Sequence, residues 1–411
     1  MTNLKGLLLG AVAASVLAAG SLVTPAYAAG HSDDGSAVIG HKKGQFYIKS
    51  KDGNYSVLPG MKFQFDYTTT LADETFATGN DTRQFDIPRL HFGVKGRAGS
   101  PNLTYGMLFD MGAGGNANNI DAKLTYKFMP EVSVRAGTYK SLGIPAGKRY
   151  SSSSGWLVDD PNGVGSSAGD RNFGVSVLGK VAKVVSYEAK LSHGGGRQFE
   201  TATDAIMWDF GVAYEPFGRY GGLNQPDYTA KNNLRVTLGA GYQGAQGATG
   251  AGNFNTYAGA STAGAANLSA YHMNVGAKYA GLHLTGTYEH GNYQSGDGNG
   301  TQQDGQRSMT YLLAASYMII PKKVPIAVTY SVTDGDTTQG TVAGSGAVAA
   351  AVDGRAVEWG IGVAYLFNGH KNKLHASWDR VTTQNNGDTI DGSADSETAV
   401  DTFKLRWQVL F

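Results

Sequence analysis

Cationic side chains recur along the chain at positions set opposite a series of apolar ones. Lys62, Arg89, His91, Lys95, Lys123, Lys127, Arg135, Lys190, Arg235, Lys278, Lys404 and Arg406 all fall in segments where apolar and polar residues alternate. Carboxylates in equivalent positions are fewer, chiefly Asp66, Asp110, Asp121, Glu188, Asp209 and Glu289. Cations gathered on one wall of a low-dielectric enclosure raise the local concentration of anions. The chemistry suggested is guidance of anions, with no bond made or broken. Two plainer readings compete: that these residues pair with one another across strands, or that they sit at a solvated rim.

Such a set requires strands to hold it. Successive side chains of a strand point to opposite faces, so period-two alternation puts the two types on two faces. Met61, Phe63, Phe65 and Tyr67 alternate with Lys62, Gln64 and Asp66, and Ile120, Ala122, Leu124, Tyr126 and Phe128 with Asp121, Lys123, Thr125 and Lys127. Further segments centre near Leu90, Met107, Val134, Val175, Tyr187, Phe210, Val236, Val275, Leu284, Leu313, Val328, Ile361, Ala376 and Phe403. The expectation is an all-β, transmembrane antiparallel β-barrel of about 16 strands, with long extracellular loops and short periplasmic turns. No interior segment is a continuous apolar block, which argues against a parallel sheet buried on both faces.

The spacing of turn residues predicts alternating connections. Long ones run from about 72 to 82, 142 to 170, 194 to 205, 244 to 269, 291 to 307, 334 to 355 and 384 to 400, and tight ones include Met129-Pro130-Glu131 and Ala280-Gly281. The stretch from Glu215 to Asn232 is too long for its place, and reads either as a missed strand pair or as a periplasmic interaction element. The 142–170 loop carries Lys148, Arg149 and the serine run Ser151 to Ser154. Folded inward it would narrow the bore; its alternative is a simple surface loop.

The two ends are informative. Lys5, an apolar run from Gly6 to Val23 and the triplet Ala26-Tyr27-Ala28 predict a signal peptide over residues 1–28, with an uncleaved anchor as the competing reading. Residues 29–58 are expected to be a periplasmic N-terminal segment and residues 59–411 the barrel pore. At the other end Phe403, Leu405, Trp407, Val409 and Phe411 share one strand face. A last strand ending in Phe resembles the assembly signal of outer-membrane barrel proteins, which implies recognition by the barrel-assembly machinery and a location in the cell outer membrane, among its lipids.

Composition excludes other classes. There is no cysteine, hence no disulfide frame and no thiolate site. With 34 basic and 33 acidic residues the net charge is +1, which argues against a nucleic-acid partner. The glycine run Gly163 to Gly169 precedes a strand where a phosphate loop needs a helix. Asp334-Gly335-Asp336 and Gly296-Asp297-Gly298 lack a full calcium-ligand spacing, and His31 and His41 are isolated. No nucleophile and base stand in a recognised frame. No metal, cofactor or enzymatic activity is expected.

Three stretches carry a resemblance. Phe85 to Gly96 (FDIPRLHFGVKG), Arg135 to Lys140 (RAGTYK) and Gly169 to Val175 (GDRNFGV) look like the phosphate-selective porin family. That resemblance implies a trimeric, sixteen-stranded Gram-negative porin whose third loop folds inward and whose cations guide anions. It adds Lys140 and Arg171 to Arg89 and Arg135 as lining candidates, beside Lys62, Lys95, Lys123, Lys148 and Arg149 from the pattern itself. The chain lacks a dense arginine run. The expected activity is passive diffusion of small hydrophilic solutes with a modest anion preference. The alternatives are a channel specific for a phosphate-like anion or other nutrient, and a plugged structural or surface-interaction barrel.

Overall fold

The computed structural model describes residues 37–42, 45–72, 81–112, 118–155, 157–158, 171–193, 206–246, 266–295, 306–338, 351–386 and 396–411. The predicted signal segment and much of the long loops lie outside the described residues. A small hairpin comes first, β1 (Ala37–Lys42) and β2 (Gln45–Ser50), and β2 touches β3 (Ser56–Ala72) through the pairs Ile48 with Val57 and Lys49 with Ser56.

The barrel continues as β4 (Thr82–Arg97), β5 (Leu103–Asp110), β6 (Asn118–Met129), β7 (Val132–Thr138), β8 (Phe173–Val181), β9 (Val185–His193), β10 (Ile206–Tyr214) and β11 (Arg235–Gln246). It is completed by β12 (Ala266–Tyr279), β13 (Leu282–Ser295), β14 (Gln306–Ile320), β15 (Val324–Thr338), β16 (Ala351–His370), β17 (Asn372–Asn386) and β18 (Ser396–Leu410). Each strand pairs antiparallel with the next, and β18 returns to β3 in register from Val400 with Ala72 to Leu410 with Lys62. The ring β3 to β18 is a closed sixteen-stranded antiparallel barrel. At the seam the backbones of Met61 and Phe411 exchange both hydrogen bonds, at 2.7 and 3.1 Å. Among the described barrel strands, closure pairs the first with the last, so neither offers lipid an open edge, an exposure that costs several kcal/mol per unpaired group.

Burial is inverted relative to a water-soluble sandwich. On β12, His272 is 2% exposed while its neighbour Met273 is 58% exposed. The same alternation holds on β13, where His283, Thr285, Thr287 and Glu289 are buried and Leu282 and Leu284 face out. An apolar exterior around a polar interior is the arrangement that lipid selects. Outward aromatics form a belt toward the long-loop end, where Tyr271, Tyr288 and Tyr311 pack ring to ring and Tyr330 meets Trp359 at 4.4 Å. From Trp359 to Phe367 on β16 is roughly 26 Å along the strand, about 20 Å of membrane height at a 40° tilt.

Tight turns close one end. Ala280 and Gly281 both have positive φ, the two-residue geometry whose twist matches its strands. Two expectations about connections need correcting. Asp334, Gly335 and Asp336 are strand residues paired with Arg355, Gly354 and Asp353, so that connection begins later than turn-like chemistry suggested. Glu215 to Asn232 holds no strand pair and does not lie outside the barrel; it enters the bore.

Candidate functional site

The bore is crossed by the connection between β7 and β8, whose described part runs from Tyr139 to Gly155, with Leu157, Val158, Arg171 and Asn172. It leaves β7 along the β8–β11 wall. There Ser141 Oγ donates to Asp209 Oδ2 at 3.0 Å and the Leu142 amide to Glu188 Oε2 at 2.8 Å. The approach is close because glycine faces it: a Cβ on Gly211 would fall on the Leu142 carbonyl. One turn of 3₁₀ helix, Gly147–Arg149, then aims Arg149 at β12, where its Nη2 lies 3.2 Å from Asn274 Oδ1 and 3.4 Å from His272 Nε2. Burial pulls this guanidinium down to about 10, which leaves it charged at neutral pH.

The serine run returns to the β17–β18–β3 wall. Lys62 Nζ donates to Ser152 Oγ at 2.8 Å, Gln64 Nε2 to the Ser152 carbonyl at 2.9 Å and Gln408 Nε2 to the Ser153 carbonyl at 2.8 Å. Lys373 Nζ reaches the Gly155 carbonyl at 3.1 Å, and Leu157 packs on Ala314 and Ala327. Arg406 donates through Nε and Nη2 to Asp66 at 2.7 and 2.6 Å and through Nη1 to the Val158 carbonyl. The expectation of an inward-folding third loop describes this course, and its 159–170 portion lies outside the described residues.

A cavity of about 330 Å³ remains on the lumen side of β3 to β6. Leu58, Lys62, His91, Lys95, Leu108, Asp121 and Lys123 line it, with Ser153 of the loop and with Gln45 and Phe411 near the short-turn end. Its carboxylate is already engaged: Asp121 accepts from Arg171 Nε at 2.6 Å and from Lys123 Nζ at 3.3 Å. Nearby, His91 stands 3.4 Å from Asp110, Arg89 donates to Gln64 Oε1 at 3.2 Å, and Arg135 sits 3.7 Å from Glu188 and over the Tyr139 ring.

The cations picked from the sequence therefore divide. Lys62, Lys95 and Lys123 come together at the cavity, with Arg171 beside Asp121. Arg89 and Arg135 lie half-buried on the same side of the barrel. Lys140 Nζ donates to the Lys148 carbonyl inside the loop, and Arg149 faces the β12 wall. Lys190, Lys278 and Arg406 are buried and hold in-folded backbone: Lys190 reaches the Asn172 carbonyl at 2.7 Å and Lys278 the Gly222 carbonyl at 2.9 Å. Arg235 pairs with the buried Asp227. Sequence reasoning missed the residues that receive these cations, because loop carbonyls carry no signature in residue type.

Fold and bore together define a closed sixteen-stranded antiparallel β-barrel whose interior is crossed by an in-folded loop. No protein-family model and no curated protein matches the chain. Among solved structures it is similar to a loop-deleted form of OmpT, an outer-membrane protein of Vibrio cholerae, with TM-score 0.55 and 12% identity over 86% of this chain and 99% of that one. It is similar to the outer-membrane channel DcaP of Acinetobacter baumannii, with TM-score 0.55 and 13% identity over 88% and 99% of the two chains. A third is OmpF of Salmonella typhi in complex with daunomycin, with TM-score 0.50 and 13% identity over 88% and 99%. These likenesses concern the fold.

Proposed function

We propose that the protein is an outer-membrane channel through which small hydrophilic solutes and ions diffuse passively, with a modest preference for anions. The observation that carries this reading is the cavity beside β3 to β6, where Lys62, Lys95 and Lys123 face Ser153 while Asp121 is occupied by Arg171. A unit charge about 4 Å from a passing ion is worth about 1 kcal/mol in water and about 4 kcal/mol at an effective dielectric of 20. A few such cations are enough to bias passage without trapping the ion.

The porin-type fold supports the outer-membrane location, and residues 1–28 would supply export. The alternating face that ends in Phe411 would serve the barrel-assembly machinery, and the porin resemblance favours a homotrimer. A channel specific for a phosphate-like anion is the second reading. It is favoured by the cavity's Lys62, whose Nζ stands 2.8 Å from the hydroxyl of Ser152 on the crossing loop, a cation and a hydroxyl side by side.

The test is single-channel conductance and reversal potential in a planar bilayer under a potassium chloride gradient. Open steps with anion selectivity are expected. Cation selectivity would remove the electrostatic reading and keep the channel, and silence from correctly folded barrels would favour a plugged structural protein. Saturable block by millimolar phosphate would move the choice to the specific channel.

A further inference from the structure

The connection from β10 to β11, residues 215–234, breaks the rule of tight turns at its end of the barrel. A polar segment gains nothing by leaving water unless its groups are met inside. Here they are met. Tyr220, Asn224 and Asp227 are each 1 or 2% exposed. The Tyr220 hydroxyl stands 2.5 Å from Nε2 of the inward-facing His283, and burial raises that hydroxyl above its ordinary range, so it stays protonated. Gly276 makes room for it, since a Cβ there would fall on the Tyr220 hydroxyl. Asp227 pairs with Arg235 and accepts the Gly281 amide at 3.0 Å. Tyr228 accepts the Lys322 amide at 3.1 Å and lays its ring 5.7 Å from that of His370. The segment is thus fastened to β11, β12, β13 and β16.

Its tip meets the loop that crosses the bore from the other side. Asn224 Oδ1 accepts the Ser151 amide at 3.2 Å while its Nδ2 donates to the Ser151 carbonyl at 3.2 Å, and Gln225 Nε2 donates to Ser154 Oγ at 2.5 Å. One side-chain amide satisfying both backbone groups of one residue does for Ser151 what a neighbouring strand would do. The serine run is held between this amide and the Lys62, Gln64 and Gln408 side chains.

We propose that residues 215–234 are a second occluding element, inserted from the short-turn end, which pins the 139–158 loop across the bore and sets the width of the path left along β3 to β6. As a statement about a path it rests on the channel reading above. As a statement about docking it does not, and the two parts are tested separately.

The docking is read by chemistry. The chain has no cysteine, so a Ser154→Cys, Gln225→Cys double variant has one possible intramolecular cross-link. A disulfide or short bismaleimide bridge is expected in folded, heat-modifiable barrels and in neither single variant. Its absence from folded barrels would overturn the proposal. The width is read by conductance of two further variants, Asn224→Ala with Gln225→Ala, and replacement of residues 217–231 by an Asp-Gly turn. The point variants keep the segment and serve if the shortened chain fails to assemble. Larger or noisier open steps than wild type are expected from both. Unchanged steps would overturn the proposed control of width and leave the channel reading standing. A silent wild type with a conducting deletion would support occlusion and refute the open channel; silence from both would overturn both.

Discussion

Arg406 and Asp66 form a two-pronged ion pair inside the bore, on neighbouring strands at the seam, and the third guanidinium position holds the Val158 carbonyl of the crossing loop. One arginine thus ties the closure of the wall to the position of the loop. Asp66→Asn leaves that buried guanidinium poorly compensated, a change that typically costs 3 to 5 kcal/mol in a buried pair. A lower unfolding temperature of the purified barrel, followed by its gel shift, is expected. The conservative Arg406→Lys should recover part of the stability and none of the grip on Val158, giving noisier current than wild type.

Selectivity should follow the division of the cations. Lys62→Glu and Lys123→Glu exchange charge at the cavity and should move the reversal potential toward cations, more so together. Arg149→Gln removes a charge that faces His272 and Asn274 on the far wall and should move it much less. Equal shifts from all three would place the ion path against β12 instead.

The glycine that admits the loop offers a steric test. Gly211→Ala places a methyl on the Leu142 carbonyl, so the loop must lift from the β10 wall or the wall must bend. The expected result is a barrel that still assembles, with altered conductance and with protease cleavage between residues 139 and 158 that wild type resists. Identical conductance and resistance would mean that wall movement absorbs the methyl.

The terminal face makes a prediction about biogenesis. Removing Phe411 deletes both backbone bonds to Met61 and shortens the alternating face Phe403, Leu405, Trp407, Val409. Less heat-modifiable protein in outer-membrane fractions is expected, with refolding in detergent affected less. Comparable losses in both assays would assign Phe411 a role in stability alone.

Much of the barrel was legible because period-two alternation is forced wherever lipid touches one face and water the other. Segments such as Lys62, Gln64, Asp66 against Phe63, Phe65, Tyr67 carry that boundary openly. Legibility failed where lipid does not reach. Gly335 and Asp336 have the chemistry of a turn yet lie in paired strand, because strands that extend past the lipid boundary need no apolar face. Arg149 had no readable direction, since a loop side chain follows no period. The role of 215–234 was invisible for a related reason: its seat depends in part on a serine backbone in another loop and on the missing Cβ at Gly276, neither of which residue type reveals from afar.

Every strand pairing of the barrel but one joins neighbours in sequence. The exception is the seam, where Gln64 meets Gln408 across 344 residues and Arg406 meets Asp66 across 340. Bringing such distant segments together carries the largest loop-closure entropy in the molecule, so hairpins can zip in order from β3 onward while the cylinder stays open until β18 arrives. The loop carbonyls of Ser152, Ser153 and Val158 bind side chains of those same two strands, β3 and β18. Sealing the wall and seating the Ser152 to Val158 end of the crossing loop therefore draw on the same two strands, while its Ser141 to Ser151 part is held by strands and a segment that need no closure.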